Sequence, residues 1–529
     1  MYDEGIGAWT RQRRLKFPDK LALVFGEREF TYRQFADAVD RVAEVLHVRD
    51  IHKGDRVAYI GENSPEFLFT LFACAQIGAV FVPINTRLAP PEITHVLTDS
   101  GSRALIYDLD FADRVMPGVE AAGIAHTIPT DDGLPGFPGL PELMSRPTGG
   151  RVAVDMAFDD PAAIIYTSGT TGKPKGAVLS HRNLTFCAIN CAIDIDVSRS
   201  EVALLISPLF HVAALGMGAL PIVLMGGTMV LEKGFEAGRA LELIESKRIT
   251  MLSGVPTTFQ LMVDHPAWET TDISSLRRLT CGGSAVPTRI LNAWEERGLG
   301  FSQGYGMTET SPGATTLAAE YTRSKQGSVG VPHFFTNVRV TNEAGQVVPR
   351  GTIGEIEIQG PNVFLGYHNQ PEKTAESFRE GGWFRSGDMG YLDEDGFLYI
   401  ADRLKDMIIS GGENIYPAEV EQLIAEIDGV TGVAVIGVPD EKWGEVPWAI
   451  VSLREGVELT SEQVVERLTG QIARYKIPKT TVVVDEFPRT ASGKIRKADL
   501  RATYTGSARP IHQPGTAEPW KTETIRTPK

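Results

Sequence analysis

Cysteine is scarce in this chain: 529 residues include four, Cys74, Cys187, Cys191 and Cys281. That is too few for a disulfide framework, and a reducing, cytoplasmic setting suits it. Cys187 and Cys191 share a helical face, but no nearby histidine completes a metal site, so both read as core residues. Positive charge is also short, with 52 Lys and Arg against 67 Asp and Glu and a formal net charge of −15 at pH 7. Such a balance argues against nucleic acid as a partner. The N-terminal MYDEGIGAWTRQRRLKFPDK lacks the apolar region of a signal peptide. One stretch, Val202 to Leu231, has no Asp, Glu, Lys or Arg. A membrane-spanning helix wants ~20 predominantly apolar residues, so length alone would allow one. Pro208, His211, Pro221 and four glycines interrupt this stretch, so buried helices lining an apolar pocket are expected instead.

What is present begins with a soluble composition, 42% hydrophobic and 22% charged, in a chain too long for one ordinary domain. Its most informative stretch is YTSGTTGKPKG, Tyr166 to Gly176. Ala162 to Tyr166 reads as a short buried strand. It runs into hydroxyls (Thr167, Ser168, Thr170, Thr171), glycines (Gly169, Gly172, Gly176) and lysines (Lys173, Lys175). Glycine frees backbone N–H groups to turn toward an anion, hydroxyls donate, and lysines add charge. A phosphate cradle is expected. It is not a Walker A loop: two residues separate Gly169 from Gly172, and Pro174 stands where Ser or Thr is required. A plain flexible linker would lack the preceding strand and the paired lysines.

The chain alternates strand-like and helix-like segments. Helices are expected over Arg33–Leu46 and Ser64–Ile77, strands over Arg56–Ile60 and Gly78–Pro83, and a Pro/Gly-rich surface loop over 128–151. Strand-like runs recur at Val223–Leu231, Ile249–Val255 and Leu276–Cys281. The expected fold class is α/β: a large N-terminal domain of helix-covered, mostly parallel sheets with a β-rich portion from Thr352. A small mobile α+β domain should follow, with helices over Ala418–Ile427 and Ser461–Tyr475 and strands over Val433–Val438 and Ala449–Leu453. The tail from Gly506 to Lys529 holds Pro510, Pro514, Pro519 and Pro528 and reads as extended or disordered.

The 166–176 stretch resembles the signature loop of the adenylate-forming superfamily, which includes acyl-CoA synthetases, peptide-synthetase adenylation domains and luciferases. Later motifs extend the resemblance over nearly the whole chain, and it implies ATP, Mg2+ and coenzyme A as cofactors. ATP and AMP binding would fall to Thr167–Lys173, to Gly283, Ser284 and Ala285 of the GGSAVP segment, and to Gly304, Tyr305, Gly306 and Thr308 of GYGMTE. Tyr305 would stack on adenine, Thr308 would contact the α-phosphate, and Glu309 with Thr167 would hold magnesium. A lone Glu in a polar loop is ordinarily just solvated; the motif match singles this one out. Asp388 in WFRSGD and Arg403 in DRLKD match the ribose and second nucleotide contacts.

DRLKD also resembles the interdomain hinge, with Lys405 as pivot, which divides the chain into 1–404, 405–505 and a 506–529 tail. Lys494, in PRTASGK, matches the catalytic lysine, with Thr308 and His211 beside it in the chemistry. Ser410, Gly411, Gly412 and Trp443 resemble the pantetheine tunnel, although core packing is the plainer role for a tryptophan. The acyl pocket would use His211, Val212, Ala213, Cys281, Gly282, Gly306 and Met307. A histidine on an apolar face is more often a satisfied core residue.

The implied reaction joins a carboxylic acid to AMP, releases pyrophosphate, and passes the acyl group to coenzyme A. Small Val212, Ala213 and Ala214 leave room for a bulky apolar tail, and the chain resembles bacterial, mycobacterial-type fatty-acyl-CoA synthetases, so a medium- or long-chain fatty acid is the first expectation. Feruloyl and other aryl-propenoic acids come second: the chain resembles bacterial feruloyl-CoA synthetases, but Ala213 replaces the tyrosine of plant hydroxycinnamate ligases. A carrier-protein-loading ligase, a luciferase-like oxygenase and a non-enzymatic nucleotide-binding module are alternatives of other classes. The resemblance also leaves room for a homodimer and for peripheral membrane contact.

Overall fold

Capped helices alternate with apolar strands through most of the chain. Thr31 starts the helix Tyr32–His47 with a capping box, its side chain on the Gln34 amide and the Gln34 side chain on its own. Ser64 caps Pro65–Ile77 by accepting from the Phe67 amide, and proline at the first turn and Gly78 in the left-handed C-cap position set both ends. These caps bring the chain back to a parallel neighbour, which an alternation of strand and helix requires.

The structure is a computed structural model and describes residues 4–134, 137–146, 150, 152, 154–167, 174–283, 286–403, 406–410, 413–440, 443–489, 495–505 and 524–526. The chain divides into two compact units, Met1–Arg339 with Glu357–Arg385, and Val340–Ile356 with Ser386–Lys529.

The first unit carries two sheets. One runs in the order Gly366–Tyr367, Lys175–Ser180, Pro161–Thr167, Val80–Pro83, Arg56–Ile60, Ser102–Tyr107, His126–Pro129. Its last five strands are parallel, while Lys175–Ser180 returns antiparallel on Pro161–Thr167. The other has a parallel run of Phe301–Tyr305, Arg278–Gly282, Met251–Gly254, Val202–Leu205, Thr228–Leu231 and Leu21–Phe25. Beneath it Phe259, Trp294 and Phe301 pack edge to face, with Phe259 and Phe301 centroids 4.7 Å apart. Each such ring contributes roughly 2–3 kcal/mol by leaving water.

In the second unit residues 388–392 pair antiparallel with Leu398–Arg403. Gly444–Leu453 is central to the C-terminal sheet, between Val430–Asp440 on one side and Thr480–Val483 on the other. Pro417–Ala425 and Ser461–Leu468 cover it, burying Val420, Ile424, Val464 and Leu468. The fold class is that expected from the sequence: mixed α/β, with a large helix-and-sheet portion and a small C-terminal α+β domain.

Several boundaries differ. Residues 128–151 are not wholly loop, since Gly133–Leu134 and Phe137–Pro138 pair and Leu140–Ser145 is helical. Leu140 and Leu143 are buried, and that anchors the short helix. Val223–Leu231 is not one strand: Leu220–Met225 is a helix ended by Gly226 at φ 82°, and only Thr228–Leu231 is a strand. The helix from Ser461 stops at Leu468, before Gly470 at φ 81°. Thr524–Arg526 in the tail forms a strand parallel to Thr480–Val483. The expected domain boundary at 404/405 falls outside the described residues. Among the described residues no helix is long and apolar enough to cross a membrane.

Candidate active site

The stretch expected from the sequence to form a phosphate loop is flanked by two paired strands, each tied to a neighbouring helix. Pro161–Thr167 leads in and Lys175–Ser180 leads out, with Thr167 opposite Lys175 and Tyr166 opposite Gly176. At the entry, Tyr166 Oη donates to Asp99 Oδ2 at 2.6 Å; at the exit, the Pro174 carbonyl lies 3.0 Å from His95 Nε2. Both partners sit on the helix Pro90–Ser100. Burial and the Asp99 carboxylate push the Tyr166 phenol above its usual range, so it stays a donor. Ser168, Gly169, Thr170, Thr171, Gly172 and Lys173 lie outside the described residues. Neither His95 nor Asp99 was found by sequence reasoning, because nothing local marks a helix some seventy residues away as the clamp.

The segments expected to bind nucleotide and acyl group meet on the second sheet. Gly282 is the register partner of Gly304, and Cys281 of Gln303. Gly283 follows at φ 90°, the left-handed region that glycine adopts without strain. Gln303 Oε1 accepts from the Val286 amide at 3.2 Å and closes that turn from the neighbouring strand. Ser284 and Ala285 are outside the described residues. After Tyr305, a Cβ on Gly306 would sit 1.6 Å from the Pro312 carbonyl oxygen, so no larger residue fits. Thr310 Oγ1 accepts from the Met307 amide at 2.9 Å and donates to the Pro312 carbonyl at 2.7 Å, and Thr308 and Glu309 lie within that turn.

Glu309 is nearly buried, at 9% exposure. The Phe364 amide donates to its carbonyl at 2.9 Å, and Tyr367 Oη donates to its Oε1 at 2.7 Å. The same segment pairs with the strand leaving the phosphate loop, Tyr367 opposite Ala177 and Gly366 opposite Val178. Lys175 Nζ lies 5.6 Å from the Tyr367 ring centroid. Burial lowers the Lys175 pKa, Lys373 adds to that, and Glu309 opposes it. The structure therefore brings Glu309 and the exit of the phosphate loop together. Tyr367 was missed in the sequence because its role depends on register.

His211 begins the segment expected to line the acyl pocket. It follows Phe210, whose ring lies 4.6 Å away, and Val212 is buried while Ala213 is exposed. Asn63 fixes the approach: its Oδ1 accepts from the Leu209 amide at 2.8 Å, and its Nδ2 donates to the Ser207 carbonyl at 3.0 Å. Ala214–Ala219 then winds as a π-helix, a geometry frequent at functional sites. Gly216 is pressed against the Ser311 carbonyl, and the Met217 methyl lies beside Gly304. His211–Ala213 thus continues into a turn packed on the Gly304–Glu309 segment.

In the second unit Asp388 is buried and lies directly opposite Arg403 in strand register. Its amide donates to Ser386 Oγ, which donates to the Ile356 carbonyl at 2.6 Å. Ser410 pairs with Gly444, next to Trp443. At 38% exposure Trp443 is not a core side chain. Arg489 and Ile495, on either side of Lys494 in the sequence, form an antiparallel bridge. Lys494, Lys405, Gly411 and Gly412 themselves lie outside the described residues.

Among the described residues no three His, Cys, Asp or Glu side chains gather as a metal cage. The donors at hand are one carboxylate, Glu309, and nearby threonine hydroxyls. That set suits magnesium, which takes one or two carboxylates and fills its shell with phosphates and water.

Comparison with known proteins places the chain in a family. The AMP-binding enzyme family matches residues 10–368, and the AMP-binding enzyme C-terminal domain matches 419–494. A feruloyl-CoA synthase of an Amycolatopsis species is 45% identical over 95% of this chain and 100% of its own. A long-chain-fatty-acid–CoA ligase, FadD13, of Mycobacterium tuberculosis is 39% identical over 95% and 99%. ATP-bound MatB from Rhodopseudomonas palustris superposes with a TM-score of 0.88 at 33% identity, over 95% of this chain and 99% of its own.

Proposed function

The chain belongs to the AMP-binding enzymes, the adenylate-forming superfamily, and we propose that it is an acid–thiol ligase working on a bulky hydrophobic carboxylic acid. The observation that carries this reading is the segment 364–367, which ties Glu309 to the strand leaving the phosphate loop. A carboxylate is a poor nucleophile toward a polyphosphate because like charges repel. In the first step its oxygen bonds to the α-phosphorus of ATP and the bond to pyrophosphate breaks. Thr167–Lys173 and Lys175 would hold the departing phosphates, and Thr308 the α-phosphate. Magnesium, bound by Glu309 and Thr167, would supply charge neutralisation on the phosphate oxygens. Lys494 would bridge the acyl carboxylate and the α-phosphate. Asp388 and Arg403 would hold the nucleoside, and preorganised electrostatics with in-line positioning supplies the rate. In the second step the thiol sulfur of coenzyme A bonds to the acyl carbon and AMP departs. Lys405 would be the pivot between steps, with Ser410, Gly411, Gly412 and Trp443 along the pantetheine path.

Two acid classes suit the acyl side. The 45% identical feruloyl-CoA synthase favours an aryl-propenoic acid. The small side chains at Val212, Ala213 and Ala214, with the 39% identical fatty-acid ligase, favour a fatty acid. Pyrophosphate release and coenzyme A consumption should be measured together across cinnamates, benzoates, steroid-derived acids and fatty acids. Release without thiol consumption would point to a carrier-protein-loading ligase, and no release with any acid would end the ligase reading. Lys494→Ala should lower adenylation by ~10²–10³-fold while thioester formation from supplied acyl-AMP persists. Lys405→Pro should impair the thioester step and spare adenylation. If both variants slow both steps alike, the two-step assignment is wrong.

A further inference from the structure

Glu309 is not held by its own loop alone. Its carbonyl is tied to the Phe364 amide, and its carboxylate accepts from the Tyr367 hydroxyl at 2.7 Å. Tyr367 comes from a two-residue strand, Gly366–Tyr367, paired antiparallel to Ala177–Val178. The ring is braced by Phe364, edge to face at 4.9 Å, and Lys175 Nζ approaches it at 5.6 Å. The Leu365 amide donates to the Val178 carbonyl and the His368 amide to the Gly176 carbonyl, both across the same strand pair. A carboxylate on a short turn can rotate about its side-chain torsions, and each misplaced rotamer removes an oxygen from the ion it should bind. A half-buried phenol donating to one oxygen fixes the plane of the group and leaves Oε2 for a cation. The phenol's own position is set by the strand that leaves the phosphate loop.

We propose that Tyr367 is a positioning residue for the metal-binding carboxylate. Its hydroxyl holds Glu309 in register with the phosphate loop, so the ion and the phosphates it neutralises are aligned by one side chain. This rests on reading Glu309 as the magnesium ligand. Partners of ligating carboxylates typically affect metal affinity 10–100-fold when removed.

The test uses the full chain with a non-hydrolysable ATP analogue and Mn2+, whose free fraction is read by electron paramagnetic resonance. Tyr367→Phe keeps the ring and deletes only the hydroxyl. It should weaken Mn2+ binding ~10-fold and raise the half-saturating Mg2+ for adenylation by a similar factor. The half-saturating acid concentration and the melting temperature should stay close to wild type. Glu309→Gln is measured alongside. If Glu309→Gln loses Mn2+ while Tyr367→Phe binds it as wild type does, the positioning role is wrong and the Glu309 reading stands. If Glu309→Gln binds Mn2+ normally, both fall. Should Tyr367→Phe melt early, the double variant decides. An added loss from Tyr367→Phe of equal size in the Glu309→Gln background would be packing damage and overturns the proposal; no added loss supports it.

Discussion

His181 is the first residue of the helix His181–Asp194 and is fully buried. Its Nδ1 accepts from the Ile6 amide at 3.3 Å, and its Nε2 has no hydrogen-bond partner among the described residues. Burial lowers its pKa from 6.5 to about 4, with Asp160 opposing and Lys53 adding to the effect. The folded state therefore refuses a proton that the unfolded chain accepts below pH 6.5. Stability from this group is complete above that pH and is lost as pH falls toward 4, by on the order of 3 kcal/mol in all. Denaturant titrations across that window should show it. His181→Asn, which keeps an acceptor near the Ile6 amide, should flatten the acid limb by about one proton. An unchanged limb would place the acid sensitivity elsewhere.

At the scale of elements, the turn carrying Thr308 and Glu309 is held by neighbours far away in sequence. Asn362, fully buried, donates through Nδ2 to the Thr310 carbonyl at 3.1 Å and to the Gly313 carbonyl at 2.6 Å. Its Oδ1 accepts from Thr336 Oγ1 at 2.9 Å, and Thr336 in turn accepts from Asn190 on the helix His181–Asp194. Asn362→Ala leaves two buried carbonyls without a donor and should cost about 2–3 kcal/mol in a denaturation midpoint experiment. It should also raise the half-saturating ATP concentration. Stability loss without any change toward ATP would show that the clamp serves only the core.

Elements of this kind show how far the sequence could be read. The helix Tyr32–His47 and the strand Arg56–Ile60 announce themselves by the spacing of their apolar residues, because local forces decide them. The turn 305–310 was legible through its glycine, threonine and glutamate. Asn362, Asn190, Asn63 and Tyr367 were not, since each acts through strand register or a buried bond across the fold. The short helix Leu140–Ser145 hid for another reason: two leucines anchor it inside a stretch dominated by turn formers.

For the molecule as a whole, the two units each gather a subset of the residues the sequence singled out. Glu309, Gly304 and the stems of the phosphate loop belong to the first; Asp388, Arg403, Ser410 and Trp443 belong to the second. That partition follows from topology, because Asp388 and Arg403 need only one antiparallel pair and the phosphate loop needs a parallel sheet behind it. Both sets were singled out in the sequence through their motifs. It could not carry which strands would lie side by side.

The cysteines bear on how coenzyme A consumption can be followed. All four cysteines are free and buried, and burial pushes the Cys74 and Cys281 thiols up, while the Cys187 contact, then burial, does so for Cys191. Attack by a disulfide dye requires an accessible thiolate. Dithiobisnitrobenzoate can therefore remain in the cuvette, and its yellow colour will count the coenzyme still unacylated rather than the protein. Preincubation with the dye should leave turnover intact; progressive inactivation would mean that the interior opens often enough for a sulfur to escape.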